Sequence, residues 1–441
     1  MAPRLSVIGT GYLGATHAAC MADLGFEVLG LDVDADKVAR LNAGEAPFFE
    51  PGLVEVLKRA LDSGRLRFTT SFAEAAEFAD VHFLCVGTPQ KHGSYAADLT
   101  YVDAAVTSLA VHLKRPCLVV GKSTVPVGTA DRLAGLLTSL APAGADAELA
   151  WNPEFLREGF AVEDTVTPDR LVVGVRSAKA EATLREVYTR QLDAGVPFVV
   201  TDFPTAELVK VAANSFLATK ISFINAMADV CEVAGGDVTM LAKAIGYDPR
   251  IGSRFLQAGL GFGGGCLPKD IRAFMARGGE LGVGTALAFL REVDEINMSR
   301  RTRTVELVRE LVGGSLLGKN IAVLGAAFKP DSDDVRDSPA LNVAAALQLQ
   351  GAQVKVFDPQ AMANARALFP TLDYAESTED ACDGADLLLL LTEWREFREL
   401  DPAQVGARVR SRRVLDARNA LDPVAWRGAG WTYRGLGRPH A

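Results

Sequence analysis

The side chain with the most unusual surroundings is Cys266, in the stretch GFGGGCLPKD from Gly261 to Asp270. Glycine loses the most backbone entropy on folding and offers no side chain to pack, so a run of glycines marks close backbone approach to something. Pro268 suits the first turn of a helix, and Ile271, Phe274 and Met275 recur at helical spacing. Cys266 therefore stands at or just before a helix N-terminus. Unpaired N–H groups and the positive end of the helix dipole favour a thiolate there, and Lys269 adds positive charge. Asp270 follows four residues on, roughly beneath the sulfur if the turn continues as helix. A thiolate so placed is a candidate nucleophile; the alternative is a buried cysteine in a glycine-rich turn.

Two more spacings belong with it. Lys210 and Asn214 are four apart in a helical pattern and so face one direction. Lys210 is flanked by Val209, Val211, Ala212 and Ala213, and a partner such as Cys266 would explain a lysine there. Glu154 and Glu158 are also four apart, in NPEFLREG directly after the apolar run AELAW. On a helix or turn they would share a face as paired carboxylates; the alternative is a solvated surface.

These residues need elements to hold them. LSVIGTGYLG supplies Gly9, Gly11 and Gly14 after an apolar run, a helical segment follows, and EVLGLDVD is a second strand ending at Asp32. That is the dinucleotide fingerprint, with glycines for the tight turn, for approach to the pyrophosphate and for close packing. Asp32 is placed to accept hydrogen bonds from the adenosine ribose and would repel a 2′-phosphate, which favours NAD over NADP. VHFLCVG and PCLVVGKST are further strands, whose ends put Thr88, Pro89, Ser123 and Thr124 in the cofactor crevice; helix capping is the plainer reading of the threonines.

LVVGV and PFVVTD read as the last strands of this domain. Pro204 then opens a long helical segment running from Glu207 to about Ala234, some 42 Å at 1.5 Å per residue. Val238–Gly246 is a short helix, Arg250 and Arg254 lead into the glycine stretch, and Thr285 to about Leu311 is helical again. KNIAVLGAAFKP restarts a strand-then-loop pattern; a helix at Leu341–Gln350 and the strands QVKVFDP, DLLLLLT and RRVLDARN follow. This second doubly wound domain lacks the glycine fingerprint, so Lys329 and the Asp/Arg-rich loop after it point to a different phosphorylated ligand, or else to a solvated loop. The tail after Trp431 reads as irregular. The fold class is α/β: two doubly wound Rossmann-like domains, 1–203 and 315–441, joined by a central helical region, 204–314, with a long helix.

At 441 residues the chain is too long for one ordinary core. Its 49% hydrophobic and 23% charged residues are those of a globular protein, and no run approaches the roughly 20 apolar residues of a membrane span. The N-terminal apolar run passes straight into glycines, unlike a signal peptide, so a cytoplasmic enzyme is expected. The six cysteines are scattered, without CxxC pairs or companion histidines, which argues against a metal site or a disulfide framework. A net charge of -9 argues against nucleic acid or an anionic membrane as partner.

GTGYLG, GKSTVPVGT, NPEFLREG, ELVKVAANSFLATKISFIN, RIGSRF, GFGGGCLPKD, AFKPDSDDVRDSP and LDARN occur in the order shown by the UDP-glucose/GDP-mannose dehydrogenase family, which the chain resembles over essentially its whole length. The cysteine segment is most similar to the branch acting on UDP-glucose. GDP-mannose enzymes are the nearest alternative, and users of UDP-N-acetylmannosamine read more like GVGGHC without the Lys-Asp pair. The resemblance implies NAD as cofactor, contacted by Gly9, Gly11, Tyr12, Leu13, Gly14, Asp32, Lys37, Thr88, Pro89, Thr124, Glu158 and Arg336. It implies a nucleotide sugar held by Glu154, Phe155, Leu156, Lys210, Asn214, Arg254, Phe262, Gly263, Phe328, Lys329 and Arg418, with Arg254 coming from a second subunit of a homodimer built on the central helices.

It implies Cys266 as nucleophile, with Lys210, Asn214 and Asp270 around it and Thr124 and Glu154 acting on water. The residue types suit a four-electron oxidation of an alcohol to a carboxylate. An aldehyde cannot give up a second hydride until a nucleophile makes its carbon tetrahedral; Cys266 does so as a thiohemiacetal, and the resulting thioester needs water and a base. Glu154 and Thr124 suit that step, and Lys210 and Asn214 can stabilise oxyanions. Asp270, Lys210 or a bound water could first deprotonate the alcohol. A two-electron β-hydroxyacid dehydrogenase shares the fingerprint and the Lys-x-x-x-Asn pair but has no use for Cys266 or a second α/β domain. A non-catalytic nucleotide-sugar or NAD sensor would not need the intact set of reactive residues.

Overall fold

The computed structural model describes residues 2–439. The chain divides into two compact units: residues 1–213 with 272–284, and residues 214–271 with 285–441.

The first unit is built on eight strands: β1 (Leu5–Ile8), β2 (Val28–Leu31), β3 (Leu66–Thr69), β4 (Val81–Leu84), β5 (Cys117–Gly121), β6 (Ala147–Trp151), β7 (Leu171–Gly174) and β8 (Phe198–Thr201). Their order is β3-β2-β1-β4-β5-β6-β7-β8, parallel except where β7 meets β6. Alternation along each strand splits the core between the two faces of the sheet. Val7, Phe83, Val120 and Val173 pack on one side, and Ile8, Leu84, Val119 and Val172 on the other. Both faces are covered, which is why these strands are continuous apolar runs. The strand order reverses between β1 and β4, and that crevice is where open α/β sheets bind ligands.

The second unit carries β9 (Asn320–Leu324), β10 (Gln353–Phe357), β11 (Asp373–Tyr374), β12 (Leu387–Leu390), β13 (Arg413–Asp416) and β14 (Thr432–Gly435). Their order is β11-β10-β9-β12-β13-β14, so the same winding recurs, with its reversal at β9 and β12. The tail expected to be irregular instead supplies β14, paired in parallel with β13, and the Tyr433 hydroxyl donates to Asp416 at 2.9 Å. Smaller apolar clusters bind the helices: Ile224, Ala228 and Val238 in one, Ala218, Phe262, Ile271 and Val293 in another.

The long helix spans Phe203–Ala234, four residues earlier than its apolar spacing indicates, because Pro204 fits inside a first turn whose N–H groups need no partner. Val238–Gly246 is helical as expected, whereas the run from Thr285 resolves into a short 3-10 turn, Gly284–Leu287, and a helix, Phe289–Leu311. The helix expected at Leu341–Gln350 is Pro339–Leu349, capped by Ser338. Among the described residues no helix is long and apolar enough to cross a membrane.

Candidate active site

In the first unit the turn after β1 brings Gly9 and Gly14 together so tightly that a Cβ on Gly14 would lie 1.8 Å from the Gly9 carbonyl oxygen. Gly11 is different: a Cβ there would meet nothing within 4 Å, so the protein itself does not demand glycine. A ligand approaching the backbone would. Gly11 precedes the helix Tyr12–Asp23, and no side chain caps that helix, leaving its N-terminal N–H groups for an anion. Asp32, just past β2 and 7% exposed, accepts from Thr10 N (2.8 Å), Thr10 Oγ1 (2.9 Å), Asp34 N (3.1 Å) and Lys37 Nζ (3.1 Å). Burial would raise its pKa, but these donors outweigh it and hold the carboxyl below its ordinary range. These residues fit the adenosine and pyrophosphate portions of a dinucleotide.

The ends of β4 and β5 are laced together: Thr88 Oγ1 donates to Thr124 O at 2.7 Å and Ser123 Oγ to Val86 O at 2.6 Å. The loop after Thr124 is strapped by Glu207 of the long helix, which accepts from Gly128 N (2.7 Å) and Ala130 N (2.6 Å). Arg277 adds a bond to Val127 O at 3.0 Å. Burial pushes the Glu207 carboxyl up despite those N–H donors.

Glu154 lies in an irregular segment after β6, so it does not share a helix face with Glu158. Its Oε1 is 3.1 Å from Lys210 Nζ, with side chains 14% and 7% exposed, and its Oε2 accepts from Leu156 N at 2.6 Å. Lys210 sits 5.6 Å from the Phe155 ring centroid, and Arg170 lies 3.9 Å from the same ring. Lys210 thus has a carboxylate partner in its own unit. Sequence reasoning passed over Glu50, buried and accepting from Gly159 N and Ala161 N at 2.7 Å each as well as from the Tyr12 hydroxyl. It ties the fingerprint helix to the Glu154–Glu158 loop.

In the second unit Cys266 directly precedes the helix beginning at Leu267, and its carbonyl accepts the Asp270 N–H at 2.9 Å. It is the exposed cysteine among the six. Burial pushes the thiols of Cys20, Cys85 and Cys382 up to about 12 and that of Cys117 to about 11. Asp270 is 2% exposed and accepts from Asn214 Nδ2 at 2.7 Å and from Lys269 Nζ at 2.5 Å. The positive charge expected to serve the thiol is therefore engaged by Asp270.

The glycine run is explained by neighbours in its own unit. A Cβ on Gly263 would lie 2.4 Å from Asp337 O, and one on Gly264 would lie 2.8 Å from the Phe328 ring. Gly264 N also donates to Arg336 O at 2.9 Å. Asn297, absent from the sequence reading, clamps Phe262 through its N–H (2.7 Å) and carbonyl (3.0 Å). Arg418 spends its guanidinium on the carbonyls of Leu391 (2.7 Å), Gly261 (3.0 Å) and Phe328 (3.2 Å), so it holds the cysteine loop to the Phe328 loop. Lys329 lies 5.5 Å from the Phe328 centroid, Arg336 is paired with Asp334 at 2.7 Å, and Arg254 is exposed. Asp358, at the end of β10 where β2 has Asp32, turns inward to Ala326 N (2.7 Å) and Ala327 N (3.0 Å).

Comparison with known proteins accounts for both units. The NAD binding, central and UDP binding domains of one family match residues 3–192, 204–299 and 322–423. The chain belongs to the UDP-glucose/GDP-mannose dehydrogenase family. Among curated relatives, the UDP-glucose 6-dehydrogenase of Rhizobium meliloti is 42% identical over 99% of this chain and 100% of its own. That of Rickettsia conorii is 43% identical over 98% of this chain and 99% of its own. A UDP-glucose dehydrogenase structure from Pyrobaculum islandicum superposes with a TM-score of 0.91 at 40% identity, covering 99% of this chain and 98% of that one. In this family's terms the fingerprint turn and Asp32 lie in the NAD binding domain, Lys210, Asn214 and Cys266 in the central domain, and Lys329 and Arg418 in the UDP binding domain.

Proposed function

We propose that this chain is a UDP-glucose 6-dehydrogenase that oxidises the C6 alcohol of UDP-glucose to the carboxylate in two hydride transfers. The observation that carries the reading is an exposed cysteine at a helix start, beside a fixed Asn214–Asp270 pair, in a chain more than 40% identical over nearly its full length to proteins of that name. The Gly9–Gly14 turn and Asp32 would hold NAD, which would serve as the hydride acceptor. Cys266 Sγ adds to the aldehyde carbon and keeps it as a thiohemiacetal, so that a second hydride can leave and a thioester results. Glu154, kept in place by Lys210 and Leu156 N, takes a proton from the water that attacks the thioester, with the Thr124 hydroxyl orienting that water. The C–S bond then breaks with its electrons on sulfur. Lys210 and Asn214, one turn apart on the long helix, supply a charge and a donor to the developing oxyanions.

The reading extends to a cytoplasmic homodimer. Phe216, Phe223 and Val230 recur every seven residues on the long helix and are 67%, 50% and 56% exposed, an apolar stripe that suits a second copy of the chain. Phe223→Asp should sediment as a monomer, and an unaltered dimer would refute that face; fractionation of cells tests the compartment. Substrate class is tested by following NADH with a panel of nucleotide sugars. UDP-glucose should give the highest kcat/KM, and a preference for GDP-mannose would overturn the assignment.

A further inference from the structure

The first unit contains a cavity of about 50 Å³ that Glu154 helps to line; its walls are more apolar than polar, with the polar groups gathered in one cluster. Its buried end is formed by His17, Lys122, Asn152 and Tyr188, which are brought there by the fingerprint helix, the end of β5, the end of β6 and the segment after the helix Ala178–Val187. The lining also takes in Glu154, Arg170 and Asp169, which is exposed, with Phe155, Leu156 and Leu171 on its apolar side. Lys122 is only 6% exposed and donates to Asn152 Oδ1 at 3.0 Å and to the Tyr188 hydroxyl at 3.5 Å. Tyr188 donates to the same Asn152 oxygen at 2.6 Å, and Asn152 Nδ2 donates to Val172 O at 2.8 Å. That leaves one Lys122 N–H beyond those two bonds. His17, 3% exposed and edge-on to Phe83, has an Nε2 with no protein partner.

Buried polar groups of this kind are costly unless something hydrogen-bonds to them, and a water, whose share of liquid volume is about 30 Å³, can enter wherever it finds two or more polar partners. The space beside His17 and Lys122 therefore suits one or two waters. Burial also pulls the Lys122 ammonium below the ordinary lysine range, with Cys85 and Glu154 opposing the shift. Among the residues that line the cavity, Glu154 is the one to which the proposed chemistry gives a role.

We propose that this pocket is a water-binding relay for Glu154, with Lys122 and His17 as positioning residues. The inference rests on Glu154 being the base for thioester hydrolysis. When Glu154 accepts a proton from the attacking water, the hydroxide oxygen bonds to the acyl carbon and the C–S bond breaks with its electron pair on sulfur. The proton on Glu154 then passes to relay water and out past Asp169, and another water takes the vacated place. The relay has no part in either hydride transfer, so its loss slows release of the product acid and leaves formation of the thioester intact.

The test is rapid mixing of full-length Lys122→Met and His17→Leu with NAD and UDP-glucose, beside Glu154→Gln. Each relay variant should show a burst of NADH followed by a steady state slowed at least about tenfold, with kcat/KM for UDP-glucose held within about twofold and an acyl adduct on the intact protein. A folded relay variant with wild-type steady-state rate, or one whose burst and steady state fall together, would overturn the relay while leaving Glu154 as base. If Glu154→Gln itself gives neither burst nor adduct, the base assignment fails and takes the relay with it. Should either variant fail to fold, Tyr188→Phe, which removes a single hydroxyl from the pocket, must show the same selective slowing, and its absence counts against the relay.

Discussion

Glu154→Gln separates the two halves of the proposed chemistry because it removes a base and little else. Glutamine keeps the volume of the side chain but a single acceptor oxygen, so it can serve the Leu156 N–H, which now bonds Glu154 Oε2 at 2.6 Å, or Lys210, which meets Oε1, and not both. What it loses is the charge 3.1 Å from Lys210, in a pair whose side chains are 14% and 7% exposed. Deleting one partner of a buried pair outright costs about 3–5 kcal/mol, whereas glutamine still satisfies one of the two donors, so the stability loss should be nearer the roughly 1–3 kcal/mol of a single unsatisfied donor. The enzyme should stay folded. Loss of a general base costs about 10²–10⁴ in rate, or roughly 3–5 kcal/mol of barrier, and here it falls on hydrolysis alone. Rapid mixing should therefore show an NADH burst well above the steady state, together with an acyl adduct on Cys266 by intact mass. Near wild-type turnover with no adduct would return Glu154 to a structural role and leave hydrolysis without a base.

Asp32→Ser should narrow the preference for NAD over NADP, because the carboxylate beside Thr10 and Lys37 would no longer repel a 2′-phosphate; unchanged kcat/KM ratios would show that Asp32 does not meet the ribose. Acid should destabilise the fold through two buried histidines. Burial lowers His82 to about 3 and His17 well below its ordinary value, so the unfolded chain binds protons that the folded chain refuses. Their contribution is fully present above about pH 6.5 and is lost as pH falls toward the folded values, at up to about 1.4 kcal/mol per pH unit for each. Thermal midpoints that stay flat between about pH 6.5 and 4 would contradict this.

The dinucleotide turn was legible because it is local: three glycines, a strand and an acid fall within one βαβ unit, and their spacing encodes their roles. The second sheet was legible from its apolar runs. Contacts between distant segments were not. Glu50 meets Gly159 across 109 positions and Glu207 meets Gly128 across 79, and nothing near either acid shows that it caps a loop. The glycines before Cys266 signalled a close approach, but the Phe328 ring that fills it comes from a separate part of the chain. Strand β14 is four residues long, too short for alternation to register, and it is defined by pairing with β13. Lys210 was recognisable as a lysine needing a partner, whereas the partner, Glu154, depends on how β6 ends beside the long helix.

The most direct test of the account is the number of NADH formed per UDP-glucose consumed, measured with limiting sugar and an external amine present to trap aldehyde. Retention of the intermediate on Cys266 predicts two NADH for each sugar, with UDP-glucuronate as product and no trapped aldehyde. One NADH per sugar, with the aldehyde recovered on the amine, would contradict it.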